Sequence, residues 1–420
     1  MLSLKKDMIL ETKDERIAVY LLSASVFFLP FFNQASLVIW AITSAWALVR
    51  FGTRAFTTHF ASKQMYLFMV GLYVYYLIGM LWTEHYNLGW SDLGIKVTLL
   101  VFPFLFHGLP LKRSSLKYIG LSLIAGSLVA ILICLMNAIR HYAVHPDINF
   151  FYYTLFSVIL HPTYFTMYLN LSILFLIQYI FDLESGYKRQ LWTSLFLLLL
   201  FFATVIAVNS RIAMLTTFAT TIVYVIMESY KRRTLLSNLR NYLFFSVVLL
   251  GVFTLLLKGQ NRFGQISEVI EKKEYESATI DTLGSSEYNS TTARIGLLKN
   301  GIGMFREHWT FGVGTGDVMP ETVQRLDKTG FHYLAKKYSG AHNQYLQTAM
   351  TLGIVGLLLL LAVLFVPLYQ YFRGKEYLFL AFMLIVIANA VGDTILRASS
   401  LYFFSFFGCY FYKLFKTERE

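Results

Sequence analysis

The sequence predicts an all-α polytopic membrane protein with about twelve transmembrane helices and one large, ordered outer loop that itself contains helices. Three observations predict it. Hydrophobic residues make up 56% of the 420-residue chain and charged residues only 14%, against about 25% charged in soluble domains. Apolar runs long enough to cross a hydrocarbon core of about 30 Å as helix recur along the chain. Most Lys and Arg lie in short loops between those runs, as orientation in a bilayer requires. That placement also argues against nucleic-acid binding, which the net charge of +12 first suggests.

The runs follow in order. A polar N-terminal stretch with Lys5, Lys6, Lys13 and Arg16 precedes the first, 17–32. No small-residue cleavage site follows it, so it reads as a retained helix, broken at Pro30-Phe31-Phe32-Asn33. The second, 33–50, closes on Arg50, Arg54 and Lys63. Runs 64–82 and 93–110 lead to Lys112, Arg113 and Lys117, and 116–139 ends at Arg140. Run 163–181 opens after His161-Pro162 and closes before Lys188 and Arg189. Only a short polar break, Asn209-Ser210-Arg211, divides 190–208 from 211–228, and Lys231, Arg232, Arg233 and Arg240 precede 241–257. The last three runs are 343–369, 376–391 and 395–412, with Arg373 and Lys375 after the first of them.

One integrated membrane domain is expected, with spans one to nine in 1–257, the large loop in 258–341 and spans ten to twelve in 342–420. Placing both termini in the cytoplasm puts every strongly basic short loop inside, and the opposite topology would violate the positive-inside rule at nearly all of them. Arg140, Arg211 and Arg397 then stand outside, where that rule does not call for them. The two cysteines, Cys134 and Cys409, sit within apolar runs and suggest neither a disulfide nor a thiolate metal site.

Inside the loop, Ile295, Leu298, Ile302, Phe305 and Trp309 recur at spacings of three and four, which predicts a helix with one apolar stripe flanked by Arg294 and Arg306. Such a helix suits a membrane interface. It should stop near Thr310-Phe311-Gly312-Val313-Gly314-Thr315-Gly316-Asp317. That glycine-rich stretch lacks the Lys-Ser/Thr ending of a phosphate loop and reads as a tight turn.

The chemistry-bearing candidates lie at the outer ends of spans. His342 opens the tenth span, where the helix dipole and nearby arginines would favour a neutral imidazole able to accept a proton. The simpler alternative is that His342-Asn343 caps the helix. Arg211, Arg294 and Arg306 could each grip an anion, because guanidinium matches phosphate with two parallel hydrogen bonds, or could anchor at the interface. His161, Tyr164, Asn343 and Asp393 are candidates to line a cavity at the same depth. No metal-binding motif is present, so no cofactor is expected.

The run from the Arg211 turn through Arg294, Trp309-Thr310-Phe311-Gly312-Val313-Gly314-Thr315-Gly316 and Ala341-His342-Asn343-Gln344-Tyr345-Leu346 to Leu352-Gly353-Ile354-Val355-Gly356 resembles the O-antigen ligase and polymerase superfamily of bacterial envelope glycosyltransferases. The resemblance implies a multi-pass protein of the bacterial inner membrane with its site facing the periplasm. It implies glycan transfer from undecaprenyl pyrophosphate, inverting and metal-independent. The acceptor would be a lipid A–core hydroxyl for a ligase, the favoured reading, or another lipid-linked glycan for a polymerase. On this resemblance His342 is the base and Arg211, Arg294 and Arg306 bind the pyrophosphate. A transporter of lipid-linked sugars is the rival from another class, since it too would need arginines in a cavity.

Overall fold

The computed structural model describes residues 10, 12–183, 187–233, 290–337 and 340–416, and no strand occurs among them. Their helices of six or more residues are, in order, α1 (Lys13–Phe28), α2 (Asn33–Phe51), α3 (Gln64–Ile78), α4 (Tyr86–Lys96), α5 (Thr98–Gly108), α6 (Ser115–Val144), α7 (Pro162–Asp182), α8 (Lys188–Val208), α9 (Arg211–Lys231), α10 (Ser290–Glu307), α11 (Val318–Lys328), α12 (His332–Lys337), α13 (Gln344–Gly374), α14 (Tyr377–Gly392) and α15 (Ala398–Lys416). Eight segments are long and apolar enough to cross a membrane: Asn33–Phe51, Gln64–Trp82, Tyr86–Gly108, Ser115–Val144, Pro162–Asp182, Lys188–Val208, Arg211–Lys231 and Gln344–Gly374. The 16-residue α14 is apolar but shorter. The run at 241–257 and the loop residues up to 289 lie outside the described residues.

The helical segment drawn from sequence at 93–110 begins earlier, at Tyr86. Its first turn is polar, and the signal that starts it comes from far along the chain. The buried carboxylate of Asp317 accepts hydrogen bonds from the backbone N–H of Glu84 at 2.7 Å and of His85 at 2.8 Å, just ahead of the helix start where unpaired donors and positive dipole favour an anion.

The core centres on α15, which is apolar nearly all round and buried nearly all round. Phe403, Phe404, Phe406, Phe407, Cys409, Tyr410 and Phe411 are all inaccessible, as a helix inside a large bundle should be. Tyrosines from surrounding helices reach in: Tyr168 donates to the Ser399 carbonyl at 2.7 Å, Tyr66 to that of Cys409 at 2.9 Å and Tyr371 to that of Tyr412 at 3.1 Å. Each ring fills apolar space while its hydroxyl finds the partner that burial demands.

Ion pairs tie basic segments to neighbouring helices at one end of the bundle. Arg50 pairs with Asp14, Arg113 with Glu376, and Arg232 with Asp182 and Glu228. The starts of α7, α9 and α13 and the end of α14 meet at the other end.

The helix α13 is not straight, as its apolar run would suggest. Gly353 has φ +65° and ψ −159° and breaks it. The piece after the break, Ile354–Gly374, is about 31 Å long, a membrane span by itself. A straight continuation would put Gln344 about 46 Å from Gly374, whereas α14, joined to it by a short turn, is only about 24 Å long. Yet Asn343 bonds the Val391 carbonyl and Tyr345 that of Ile387, both near the far end of α14. The nine residues before Gly353 are therefore folded over at the break, which returns His342 to the end of α14.

The glycine-rich segment fills that break. The N–H groups of Val313 and Gly314 donate to the carbonyls of Met350 and Thr351 at 2.9 and 3.0 Å, and Ile354 N–H donates to the Trp309 carbonyl at 2.8 Å. Backbone groups freed by the break are thus satisfied by protein, a condition for irregular backbone at membrane depth. Fit is tight on both sides. A Cβ on Gly353 would stand 2.2 Å from the Thr310 oxygen, and one on Gly312 (φ +71°) 2.4 Å from the Thr351 carbonyl carbon.

The predicted loop helix exists as α10 and stops at Glu307, but its protein-facing side is not the apolar stripe. Ala293, Leu297, Asn300 and Met304 are buried instead, while Ile302 is 44% and Trp309 58% exposed. The small and medium residues pack against protein, while Ile295, Leu298 and Phe305 of the stripe are half-buried, Phe305 against the cluster of Met304, Val313, Ala341 and Met350.

Candidate functional site

Asp393 follows the last residue of α14 with extended backbone, φ −158°. Its side chain is only 4% exposed, and one carboxylate oxygen accepts from the Thr394 N–H at 2.8 Å. Two imidazoles lean on it. His342 Nδ1 lies 3.5 Å from Oδ1 and His161 Nδ1 lies 3.2 Å from Oδ2, with their side chains 32% and 40% exposed. Burial alone would raise the Asp393 carboxyl, but hydrogen bonding from His342 and the charges of both imidazoles hold it below the usual range.

Each histidine is set by the local chain. His161 directly precedes Pro162, which occupies the first turn of α7 with its ring-fixed φ and no N–H to satisfy. His342 has φ +47° and stands one residue before the helix cap. Asn343 is that cap: its side chain accepts from Leu346 N–H at 2.9 Å and donates to the Val391 carbonyl at 3.0 Å. With Nδ1 toward the carboxylate, the neutral tautomer of each ring carries its proton there and leaves Nε2 as an acceptor.

Arg211 is the first residue of α9, after Asn209 in the left-handed region and Ser210 at the cap. Two contacts bring this start to the cluster. Ser210 Oγ lies 3.1 Å from Thr163 Oγ1 on α7, and Ile212 packs on Gly392, where an added Cβ would come within 2.3 Å of its Cδ1. Burial disfavours positive charge on His161 most, followed by His342 and by Arg294, half-buried near the start of α10. Together these outweigh Asp393 and lower the His161 pKa. Tyr164 donates to the Thr394 carbonyl at 2.9 Å, and its ring centroid is 5.2 Å from that of His161.

His161, Tyr164, His342, Asn343 and Asp393 therefore converge at one end of the bundle, with Arg211 and Arg294 beside them. Arg306 does not join them. It is exposed in the last turn of α10, about 18 Å along the axis from Arg294. Sequence reading missed the hub role of Asp393, whose signal was an acidic residue ending an apolar span. It also missed the break at Gly353, signalled only by glycines at 353 and 356. Among the described residues, no group of three or more His, Cys, Asp and Glu side chains is arranged to hold a metal ion.

Helix starts carrying positive dipole ends and arginines around a buried carboxylate suit an anion-handling site on a multi-pass membrane protein. Residues 195–361 match the family described as O-antigen ligase, so the resemblance to the O-antigen ligase and polymerase superfamily holds over that segment. The matched segment contains Arg211, Arg294, Arg306, His342 and Gly353, while His161 and Asp393 flank it. No curated protein matches the chain.

Proposed function

We propose that this protein is an O-antigen ligase-like glycosyltransferase of the bacterial inner membrane. It moves a glycan from undecaprenyl pyrophosphate to a lipid A–core hydroxyl on the periplasmic side, with both termini cytoplasmic. One observation carries the reading: the His342 ring turns Nδ1 to the buried Asp393 carboxylate, at a bundle end where Arg211 and Arg294 also gather.

The chemistry follows from that orientation. The acceptor hydroxyl oxygen attacks the anomeric carbon as its proton passes to His342 Nε2. The bond from that carbon to the pyrophosphate oxygen breaks, its electron pair leaving with undecaprenyl pyrophosphate, and a single displacement inverts the anomeric centre. Asp393 stabilises the imidazolium as it forms, and a positioned base of this kind contributes about 10²–10⁴ in rate. Arg211 and Arg294 meet the negative charge growing on the leaving oxygen. They supply positive charge from side chains, so transfer is expected to survive a chelator. Arg306 contacts the substrate more remotely.

The same site would act as a polymerase if the acceptor were a second lipid-linked glycan. Purified protein in liposomes, given donor and both acceptors, separates the readings by gel mobility of the products. Modified lipid A–core is expected; lengthened lipid-linked chains alone would assign a polymerase. The break at Gly353 has the form of a transporter's discontinuous helix, but backbone groups at the break bond to residues 309–314 of the protein itself. Movement of the donor across the bilayer with no glycan transfer would favour that rival.

A further inference from the structure

Catalysis by His342 needs one carboxylate partner, yet the Asp393 carboxylate is shared. His161 comes from a different helix and approaches the other oxygen, 3.2 Å from Oδ2, more closely than His342 approaches Oδ1 at 3.5 Å. Oδ2 is fully buried and has no other partner among the described residues, and the His161 contact lacks good hydrogen-bond geometry. Among the described residues, His161 is thus the group on that side of a carboxylate that would otherwise be directed wholly at His342.

We propose that His161 is a positioning residue for the base: by occupying Asp393 Oδ2 it divides the carboxylate between two imidazoles and limits how tightly His342 holds a proton. The inference rests on His342 being the base of the proposed transfer. A carboxylate serving one imidazolium stabilises it more than a carboxylate with a second imidazole against its other oxygen, here His161 Nδ1 at 3.2 Å from Oδ2. Removing His161 therefore favours the protonated, inactive form of His342, and activity requires higher pH. The charges facing His161 act in both directions. Asp393, at the end of α14, attracts a proton to it, while His342 ahead of α13 and Arg294 on α10 oppose one. Tyr164 on its own helix, one turn along, is uncharged near neutral pH, and Arg397 acts beyond it. With Arg211 at the adjoining helix start, a neutral His161 with Nδ1 turned toward Oδ2 is the form this site favours.

Two substitutions separate positioning from mere packing. His161→Asn keeps an N–H donor close to where Nδ1 stands; His161→Leu fills the space without one. Profiles of kcat/KM for glycan transfer from about pH 5 to about pH 9 are read with each protein in liposomes. The acid limb of His161→Leu is expected about one pH unit higher than that of the native protein, a loss of about tenfold on the acid side with little loss on the alkaline side. His161→Asn is expected to keep the native limb. Should His161→Leu fail to accumulate in the membrane, His161→Ala gives the same readout.

An equal loss at every pH in the donor-free variant, or an Asn variant whose limb moves with it, would overturn the proposal. The control is His342→Ala. Full transfer by that variant would remove the base reading itself, whereas its inactivity together with an unmoved limb in His161→Leu would remove only the role given to His161.

Discussion

The two ends of the bundle use charge differently. At the basic end, each named arginine meets a carboxylate: Arg50 with Asp14, Arg113 with Glu376, and Arg232 with Asp182 and Glu228. At the other end, the buried carboxylate of Asp393 is held by two histidines, and Arg294 forms no ion pair with the described residues. Cations that are paired within the chain tie helices together. A guanidinium with no counterion among the described residues, beside convergent helix starts, suits an anion from outside.

The sharpest way to break this contrast is at the shared carboxylate. Asp393→Asn keeps the shape but removes the charge that stabilises the imidazolium, and transfer should fall about 10²–10⁴-fold. Near-native rates from protein at native abundance would separate the cluster from the chemistry. Arg294→Ala and Arg211→Ala should each cost about 10²–10³ in kcat, the scale of losing one preorganised charge partner. Arg50→Ala at the opposite end should leave transfer within about twofold. Equal losses at the two ends would erase the distinction drawn between them.

Gly353→Ala tests how the site end is held. A side chain at positive φ costs about 1–2 kcal/mol, and the Cβ meets the Thr310 backbone besides. Thermal stability and transfer should fall together, because folding α13 at Gly353 is what returns His342 to Asp393. A stable, fully active Gly353→Ala protein would mean that the break is not needed. Arg306→Ala should have the smallest effect at this end, about threefold or less, measured with the same donor and acceptor.

The spans were legible because a bilayer enforces long apolar runs, and most of the described ones recur within a few residues. The candidates at the site were legible as well, since polar residues at span ends are few: His161, Arg211, His342 and Asp393 could each be picked out singly. Their grouping was not legible, because it depends on which helix ends meet. The His342–Asp393 pairing in particular requires the fold at Gly353, and the partners that fill that break are backbone groups 40 residues upstream, where sequence offers only glycines. The protein-facing side of α10 was not assigned from the sequence, which placed its apolar stripe at the membrane interface, for a related reason. Hydrophobic periodicity marks a stripe that avoids water, but beside a membrane that stripe can face lipid while smaller residues face protein.

Glycan transfer by His342→Ala, measured in proteoliposomes with donor and acceptor saturating and rates normalised to inserted protein, tests the central claim most directly. Loss of about 10²–10⁴ in rate, with lipid-linked donor still bound, is the result expected of a base held against Asp393. Transfer at the native rate would contradict it.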